Sequence, residues 1–256
     1  MKPQSKDLSL IAEKHNVGLH VDCCLGGFVL PFARKLRKNI PKFDFELPGV
    51  TSMSCDTHKY GYASKGTSVV LYRSKEFRHF QYFAYPDWTG GLYVTPTVAG
   101  SRPGGLSAAC WAAMMRLGEQ GYLEAVEKII STTERLCAGV KEIPGLRVIG
   151  EPVAMIVAFD SPEFNIYQVS DLMSKKGYGL SPCQNPPCVH ICVTLRHADH
   201  IEDVLKALRE CTATVRDNPG PAPKDGTAPI YGMASSLPGG PVKDLLRAYT
   251  DVVLKV

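Results

Sequence analysis

The chain has 256 residues, of which 45% are hydrophobic and 21% are charged, and its formal net charge at pH 7 is +4. A chain of this length can bury a substantial core in one or two domains. Its mild, scattered charge argues against a nucleic-acid-binding protein. No apolar run approaches the roughly 20 residues that cross a bilayer, so we expect no transmembrane segment in this chain.

The chain opens on a predicted amphipathic helix over residues 5–16, which leads directly into an apolar strand. A helix that runs straight into a sheet strand is typical of the middle of a doubly wound α/β domain. We therefore expect a chain that lacks an upstream part. The predicted buried face of the helix carries Leu8, Ile11, Ala12 and His15.

Two predicted strands are each followed by an ionisable residue that can bind a ligand. The strand over residues 17–21 ends at Asp22, and the strand over residues 50–55 is followed a few positions later by Lys59. Ligands of open α/β sheets bind at the ends of parallel strands. The sequence thus predicts that a carboxylate and an amine converge on one ligand.

Each of these residues has an ordinary alternative role. An Asp after a short strand is usually a turn or cap residue, and a His-Lys pair is usually solvated surface. Lys59 differs because Tyr60, Gly61 and Tyr62 follow it, and the next charge is Lys65. This context predicts a partly enclosed amine, whose pKa burial would lower.

Three stretches carry a family resemblance. They are His20-Val21-Asp22 followed by Gly26-Gly27, the segment 52–65 with its Asp56-Thr57-His58-Lys59, and the segment 93–102. Together they resemble the group II pyridoxal-phosphate decarboxylases, and within that group the enzymes that cleave phosphorylated sphingoid bases. The resemblance covers nearly the whole chain and is weakest over residues 217–229.

The resemblance implies pyridoxal 5'-phosphate as the cofactor and assigns it three residues. Lys59 would hold the cofactor covalently, and Asp22 would pair with the ring nitrogen and keep it protonated. His58 would contact the cofactor phosphate or ring, with a structural hydrogen bond as its alternative. The glycine- and serine- or threonine-rich loop that holds the cofactor phosphate in this family has no counterpart here.

The resemblance also assigns residues to the substrate and to catalysis. Lys65 and Ser101 map to the substrate-phosphate environment, and Tyr93 maps to a catalytic position as an acid, a base or a hydrogen-bond donor. Arg102 is an alternative anion contact, although Pro103 and the glycines after it equally favour a structural turn.

The implied reaction is a retro-aldol cleavage between carbons 2 and 3 of a long-chain base phosphate, which yields a fatty aldehyde and phosphoethanolamine. Two alternatives stay open: an amino-acid decarboxylase of the same group, and a catalytically silent truncated chain. The resemblance further implies a homodimer at the endoplasmic reticulum membrane with its catalytic part facing the cytosol. We expect this chain to lack the anchor and, alone, to be cytosolic.

The rest of the chain predicts two domains. Residues 1–118 are expected to be the C-terminal part of a fold-type I large domain with a mostly parallel sheet. Residues 119–256 are expected to be a long connecting helix and a small α+β domain. Helices are predicted over 106–117, 123–143, 166–176, 200–215 and from 242, strands over 67–72, 153–159 and 189–195, and a loop over 217–229.

Nine cysteines occur without a repeated spacing. Cys183, Cys188 and Cys192 cluster near His190 and His197, but the close Cys-x-x-Cys pair of a zinc site is missing. Free thiols in a reducing compartment are the favoured interpretation, and no metal site is predicted. The aromatic-rich stretch 80–93 is expected to be core or interface packing, or the wall of a site for a long apolar substrate.

Overall fold

The computed structural model describes residues 5–36, 38–218, 226–236 and 239–255. These residues form two compact units, Met1–Glu127 and Lys128–Val256. The domain boundary predicted after residue 118 stays a prediction. No helix within the described ranges is both long and apolar enough to span a bilayer.

The first unit is built on a three-stranded sheet in the order β1-β2-β3, in which β1 and β2 are parallel and β3 is antiparallel to β2. The parallel register pairs Asp22 with Ser54, so both lie at the same end of the sheet. The predicted first helix and these strands are confirmed. The elements of this unit are α1 (Ser5–His15), β1 (Leu19–Asp22), α2 (Leu30–Lys35), β2 (Val50–Cys55), β3 (Val69–Tyr72), α3 (Lys75–His79), β4 (Phe83–Tyr85), β5 (Tyr93–Thr95) and the start of α4 (Gly104–Lys141).

The buried face of α1 differs from the predicted one. Ser9 and Ala12 are buried, whereas Leu8 and Ile11 are exposed. The Ser9 hydroxyl accepts a hydrogen bond from the Gly49 amide at 2.9 Å. A Cβ atom at Gly49 would lie 2.4 Å from the Ser9 carbonyl oxygen. This close backbone approach selects small residues at the contact, and the apolar pattern does not show it.

The aromatic stretch forms a hairpin. β4 and β5 pair in an antiparallel two-stranded sheet that joins Tyr85 to Tyr93. Trp88 packs edge-on against Tyr93 with ring centroids 5.8 Å apart. Phe83, Tyr85, Trp88 and Val94 are nevertheless each at least 47% exposed, so the hairpin is not core packing within this chain.

The two predicted helices over 106–117 and 123–143 are halves of α4. Gly118 separates them with φ 58° and ψ −174°, outside helical geometry. Only glycine adopts such a conformation without strain. The break therefore occurs at the position where the sequence predicts it.

The second unit is an antiparallel four-stranded sheet in the order β6-β7-β9-β8, with helices packed against it. Its core contains the fully buried Phe159, Met173 and Leu208. The predicted α+β character is confirmed. Its elements are the end of α4, then β6 (Arg147–Val148), β7 (Ile156–Asp160), α5 (Ile166–Lys175), β8 (Ser181–Cys183), β9 (Cys188–Cys192), α6 (Leu195–Ala198), α7 (Ile201–Asp217), α8 (Thr227–Ser236) and α9 (Gly239–Val253).

One helix begins inside the predicted loop over 217–229. Residues 219–225 lie outside the described residues, but α8 starts at Thr227. The Asp171 carboxylate accepts hydrogen bonds from the amides of Thr227 at 2.7 Å and Ala228 at 3.0 Å. A carboxylate at a helix N-terminus satisfies free amides and the helix dipole. The loop prediction is wrong at this end because the cap comes from a distant helix.

Candidate active site

Asp22 ends β1 as a carboxylate held in place by two donors. Its Oδ1 accepts hydrogen bonds from the Cys24 amide at 3.0 Å and from the Ser54 hydroxyl at 2.8 Å. Because these donors favour the charged form, they lower the pKa of Asp22 to about 2. Asp22 is therefore ionised and oriented over the whole physiological pH range, and its exposed side chain remains accessible.

Lys59 lies in the turn after β2, at the same end of the sheet. Its Nζ contacts Asp56 Oδ2 at 2.9 Å, and its side chain is 33% exposed. The hydrogen bond to Asp56, followed by one to Cys24, raises the pKa of the Lys59 ammonium. The predicted partial enclosure of the amine is confirmed. The predicted lowering of its pKa is wrong, because the carboxylate outweighs desolvation.

Cys24 connects the two charged groups. Its amide binds Asp22, its carbonyl oxygen accepts from the Asp56 amide at 3.2 Å, and its side chain contacts Lys59. The Ser68 hydroxyl donates to the other oxygen of Asp56 at 2.6 Å. Hydrogen bonds among the loop after β1, the turn after β2 and the loop before β3 thus hold the Asp22 carboxylate and the Lys59 amine at one edge of the sheet.

The turn that carries Lys59 is fixed by close contacts of Gly61 with Thr57 and Tyr122. A Cβ atom at Gly61 would lie 2.4 Å from the Thr57 carbonyl oxygen, so the turn requires glycine there. The Tyr122 hydroxyl donates to the Gly61 carbonyl oxygen at 2.8 Å, and its ring stacks on Phe32 at 5.1 Å. A rigid turn limits the positions that the Lys59 amine can reach.

His58 is turned toward the loop behind the lysine. Its Nδ1 donates to the Thr67 carbonyl oxygen at 2.5 Å. Its Nε2 lies 3.9 Å from Asp56 Oδ2. Both ring nitrogens therefore face neighbours of Lys59, which is consistent with the structural alternative for this residue.

The three residues predicted for substrate and catalysis lie elsewhere in the first unit. Lys65 is exposed in the turn before β3, and Ser101 is exposed before α4. Tyr93 is 40% exposed in the hairpin, and a Cβ atom at Gly100 would lie 3.4 Å from its hydroxyl. Within the described ranges, no hydrogen bond or ion pair joins these three residues to Asp22 or Lys59.

Sequence reasoning missed Ser54, Asp56 and Cys24. The parallel register would have revealed Ser54, because residues at equivalent ends of neighbouring strands lie side by side. Asp56 stands three residues before Lys59, a spacing that suits an ion pair across a turn. Cys24 had no comparable signal, since its amide and carbonyl, not its residue type, form two of its contacts.

A cavity of about 490 Å³ lies beside β2 and β3. Its lining includes Cys23, Met53, Cys55 and Leu71, together with the carboxylate residues Asp44 and Glu46. Successive side chains of a strand point to opposite faces. The cavity is therefore on the face opposite Asp22 and Ser54. Among the described residues, no group of three or more His, Cys, Asp or Glu side chains is arranged to hold a metal ion.

Comparison with known proteins defines the class. Residues 4–161 match the pyridoxal-dependent decarboxylase conserved domain. The chain belongs to that family, and the cofactor that the family indicates is pyridoxal phosphate. The glutamate decarboxylase of Lactobacillus brevis shares the fold with a TM-score of 0.66 at 22% identity, over 82% of this chain and 51% of that one.

Within the family, the chain is similar to sphingosine-1-phosphate lyases. The Arabidopsis thaliana enzyme is 53% identical over 96% of this chain and 45% of its own length, and the Saccharomyces cerevisiae enzyme is 41% identical over 97% and 43%. The structure of the Burkholderia pseudomallei sphingosine-1-phosphate lyase matches with a TM-score of 0.80 and 45% identity, over 83% of this chain and 49% of that one. The chain spans less than half the length of the curated relatives it matches.

Proposed function

We propose that this chain is the lysine-bearing part of a pyridoxal-phosphate-dependent carbon–carbon lyase that cleaves sphingoid base phosphates. The observation that carries the proposal is that Asp22, at the end of β1, and Lys59, in the turn after β2, both form hydrogen bonds with Cys24. Support for the substrate class comes from the identity, up to 53%, with sphingosine-1-phosphate lyases. The products would be a fatty aldehyde and phosphoethanolamine.

The donor set fits the cofactor. Asp22 is a fixed, ionised carboxylate suited to the ring nitrogen, and Lys59 is a partly exposed primary amine suited to covalent attachment. When bound, pyridoxal phosphate supplies a protonated ring that withdraws electrons from the bond being broken. His58 would contact the phosphate or ring after a change of partner.

Lys59 has to lose a proton before its amine can react, because the nucleophile is the free amine. Asp56 raises the pKa of the Lys59 ammonium through the 2.9 Å contact between Lys59 Nζ and Asp56 Oδ2. We infer that Asp56, whose own pKa is lowered by its hydrogen bonds to Ser68 and Lys59, positions the amine and does not take its proton. Cys24 keeps the pair beside Asp22.

The substrate end of the site rests on chemistry and resemblance. Lys65 is an exposed ammonium beside Gly66, and ammonium groups bind phosphate well. Tyr93 carries a hydroxyl suited to general acid–base work at the carbon-3 oxygen of the substrate. Ser101 would add a hydrogen-bond donor to the phosphate. The loss of the 3-hydroxyl proton accompanies cleavage of the bond between carbons 2 and 3.

The proposal includes a homodimer. The hairpin and the first half of α4 each expose large apolar side chains, and large exposed apolar surfaces mark contacts with other proteins. Leu92 is 88% exposed, and Trp111 and Met115 are each 65% exposed. A second copy of the chain would cover this surface. The location at the endoplasmic reticulum membrane, with the catalytic part facing the cytosol, follows the resemblance and is tested by cell fractionation.

The proposed function is tested with the purified chain and pyridoxal phosphate. Borohydride reduction followed by peptide mass mapping should place the cofactor on Lys59. Release of a long-chain aldehyde from a phosphorylated sphingoid base, but not from the unphosphorylated base, would support the lyase. Release of carbon dioxide from an amino acid would favour the decarboxylase instead. A folded chain that takes up no cofactor would favour the catalytically silent truncated chain.

A further inference from the structure

The β8–β9 hairpin of the second unit places two cysteines opposite each other. Cys183 and Cys188 are register partners across the antiparallel pair. Directly opposite residues have Cα atoms about 4.5–5.5 Å apart, which lies inside the range of about 4.4–6.8 Å that a disulfide needs. Both thiols are free in this structure. The register therefore places the two cysteines where a disulfide between them needs no large movement of the backbone.

An imidazole lies beside one of the two thiols. The Nδ1 atom of His190 is 3.3 Å from the Cys183 sulfur. Cys183 is half-buried, whereas Cys188 is 7% exposed, and burial raises the pKa of the Cys188 thiol. Of the two thiols, only Cys183 has an imidazole nitrogen recorded within hydrogen-bond distance, and a neighbouring base activates a thiol as a nucleophile. The two cysteines thus differ in a way that separates an attacking thiol from a second, sheltered thiol.

The β8–β9 hairpin is anchored to helix α5, and its outer strand lies at the edge of the sheet. The Tyr167 hydroxyl of α5 donates to the Cys183 carbonyl oxygen at 2.5 Å. β8 is an edge strand, so Cys183 is reached from solvent, whereas β9 lies between β7 and β8. Neither thiol is needed for the proposed lyase chemistry, which uses residues of the first unit.

We propose that Cys183, Cys188 and His190 form a peroxide-reactive dithiol site, in which oxidation closes a Cys183–Cys188 disulfide. His190 Nδ1 takes the Cys183 proton, and the thiolate sulfur attacks one oxygen of a peroxide. The O–O bond breaks, and hydroxide leaves with that proton as water. Cys183 is then a sulfenic acid.

The second step closes the bond. The Cys188 sulfur attacks the Cys183 sulfur, the S–O bond breaks, and a second water leaves. Two thiols and one hydrogen peroxide give one disulfide and two waters, so the sulfurs lose two electrons and the peroxide gains them. A dithiol reductant reverses the change by thiol–disulfide exchange.

The site is tested by differential labelling of the whole chain after brief exposure to hydrogen peroxide. Free thiols are blocked with N-ethylmaleimide, disulfides are reduced, and the released thiols take iodoacetamide. In the tryptic peptide spanning residues 177–196, we expect the second label on Cys183 and Cys188 and the first label on Cys192. Second label on Cys192, or first label on all three cysteines, would overturn the proposal.

Variants separate the roles of the three residues. Cys183→Ser and Cys188→Ser should each abolish the disulfide. Cys192→Ser is the matched control, because Cys192 lies on β9 with Cys188, and this variant should form the disulfide at the unaltered rate. His190→Gln should slow its formation by about 10²-fold, the usual size of a general-base effect. An unaltered rate in His190→Gln would refute the role of the imidazole. If a variant fails to fold by circular dichroism, labelling of the unmodified chain still decides the matter.

Discussion

The two units of this chain treat apolar surface in opposite ways. In the second unit, helices cover the sheet, and Phe159, Met173 and Leu208 lose essentially all contact with water. In the first unit, β3 leaves Val69, Val70 and Leu71 between 39% and 45% exposed. The second unit is built around a buried core. The first unit exposes both the residues of the candidate active site and apolar side chains.

The difference shows how the stability and the function of the chain are divided. A covered sheet gains stability from burial. The first unit gains less from burial but leaves Asp22 and Lys59 accessible at a sheet end, where ligands bind. We therefore expect substitutions in the first unit to change activity and association, and those in the second to change stability.

The largest effect is expected at Lys59. Lys59→Ala removes the amine that attaches the cofactor, so borohydride-trapped cofactor should fall to background. Lys65→Ala is the matched control, because Lys65 is an exposed lysine six residues away, and it should retain the trapped cofactor. Mass mapping of reduced protein measures both. Trapping that survives in Lys59→Ala would remove the basis of the site.

Asp22→Asn should have the next largest effect. Loss of the ionised carboxylate leaves the ring nitrogen without its partner, and turnover should fall by about 10²–10³-fold, as for other preorganised electrostatic groups. Covalent attachment should persist, which separates this change from Lys59→Ala. Glu13→Gln, an exposed carboxylate on α1, is the control. Turnover within a few-fold of the unmodified chain would contradict the assigned role.

A pair of aromatic substitutions tests the contrast between the units directly. Phe159→Ala in the second unit should lower the free energy of unfolding by about 3–5 kcal/mol, because it leaves a cavity in a packed core. Trp88→Ala, at a side chain that is 51% exposed, should change it by only about 0.5 kcal/mol but weaken self-association. Urea unfolding and sedimentation measure the two quantities. Equal losses of stability would break the comparison.

The smallest expected effect is a shift in pH dependence. Asp56 raises the pKa of the Lys59 ammonium, so Asp56→Asn should lower that pKa and make more free amine available at a given pH. The pH profile for the rate of cofactor attachment should move to lower pH. Asp87→Asn in the hairpin should leave the profile in place. Movement to higher pH would show that Asp56 acts chiefly as a base.

The sequence by itself was enough for the class and for most elements. Asp22 and Lys59 each follow an apolar strand, and the hydrophobic periods placed α1, α5, α7 and the central strands within a few residues of their observed bounds. Gly118 marked the break in α4. These features depend on residues that are close together in the chain, so the local sequence pattern is enough to predict them.

Tertiary structure decided the contacts that join distant segments. The Ser54 hydroxyl of β2 helps to lower the pKa of Asp22 in β1, and the close approach of Gly49 selects Ser9 over Leu8 for burial. The hairpin register brought Cys183, Cys188 and His190 together. Each depends on a strand register or on a close approach between separate segments, and hydrophobic periodicity carries no information about which groups will meet.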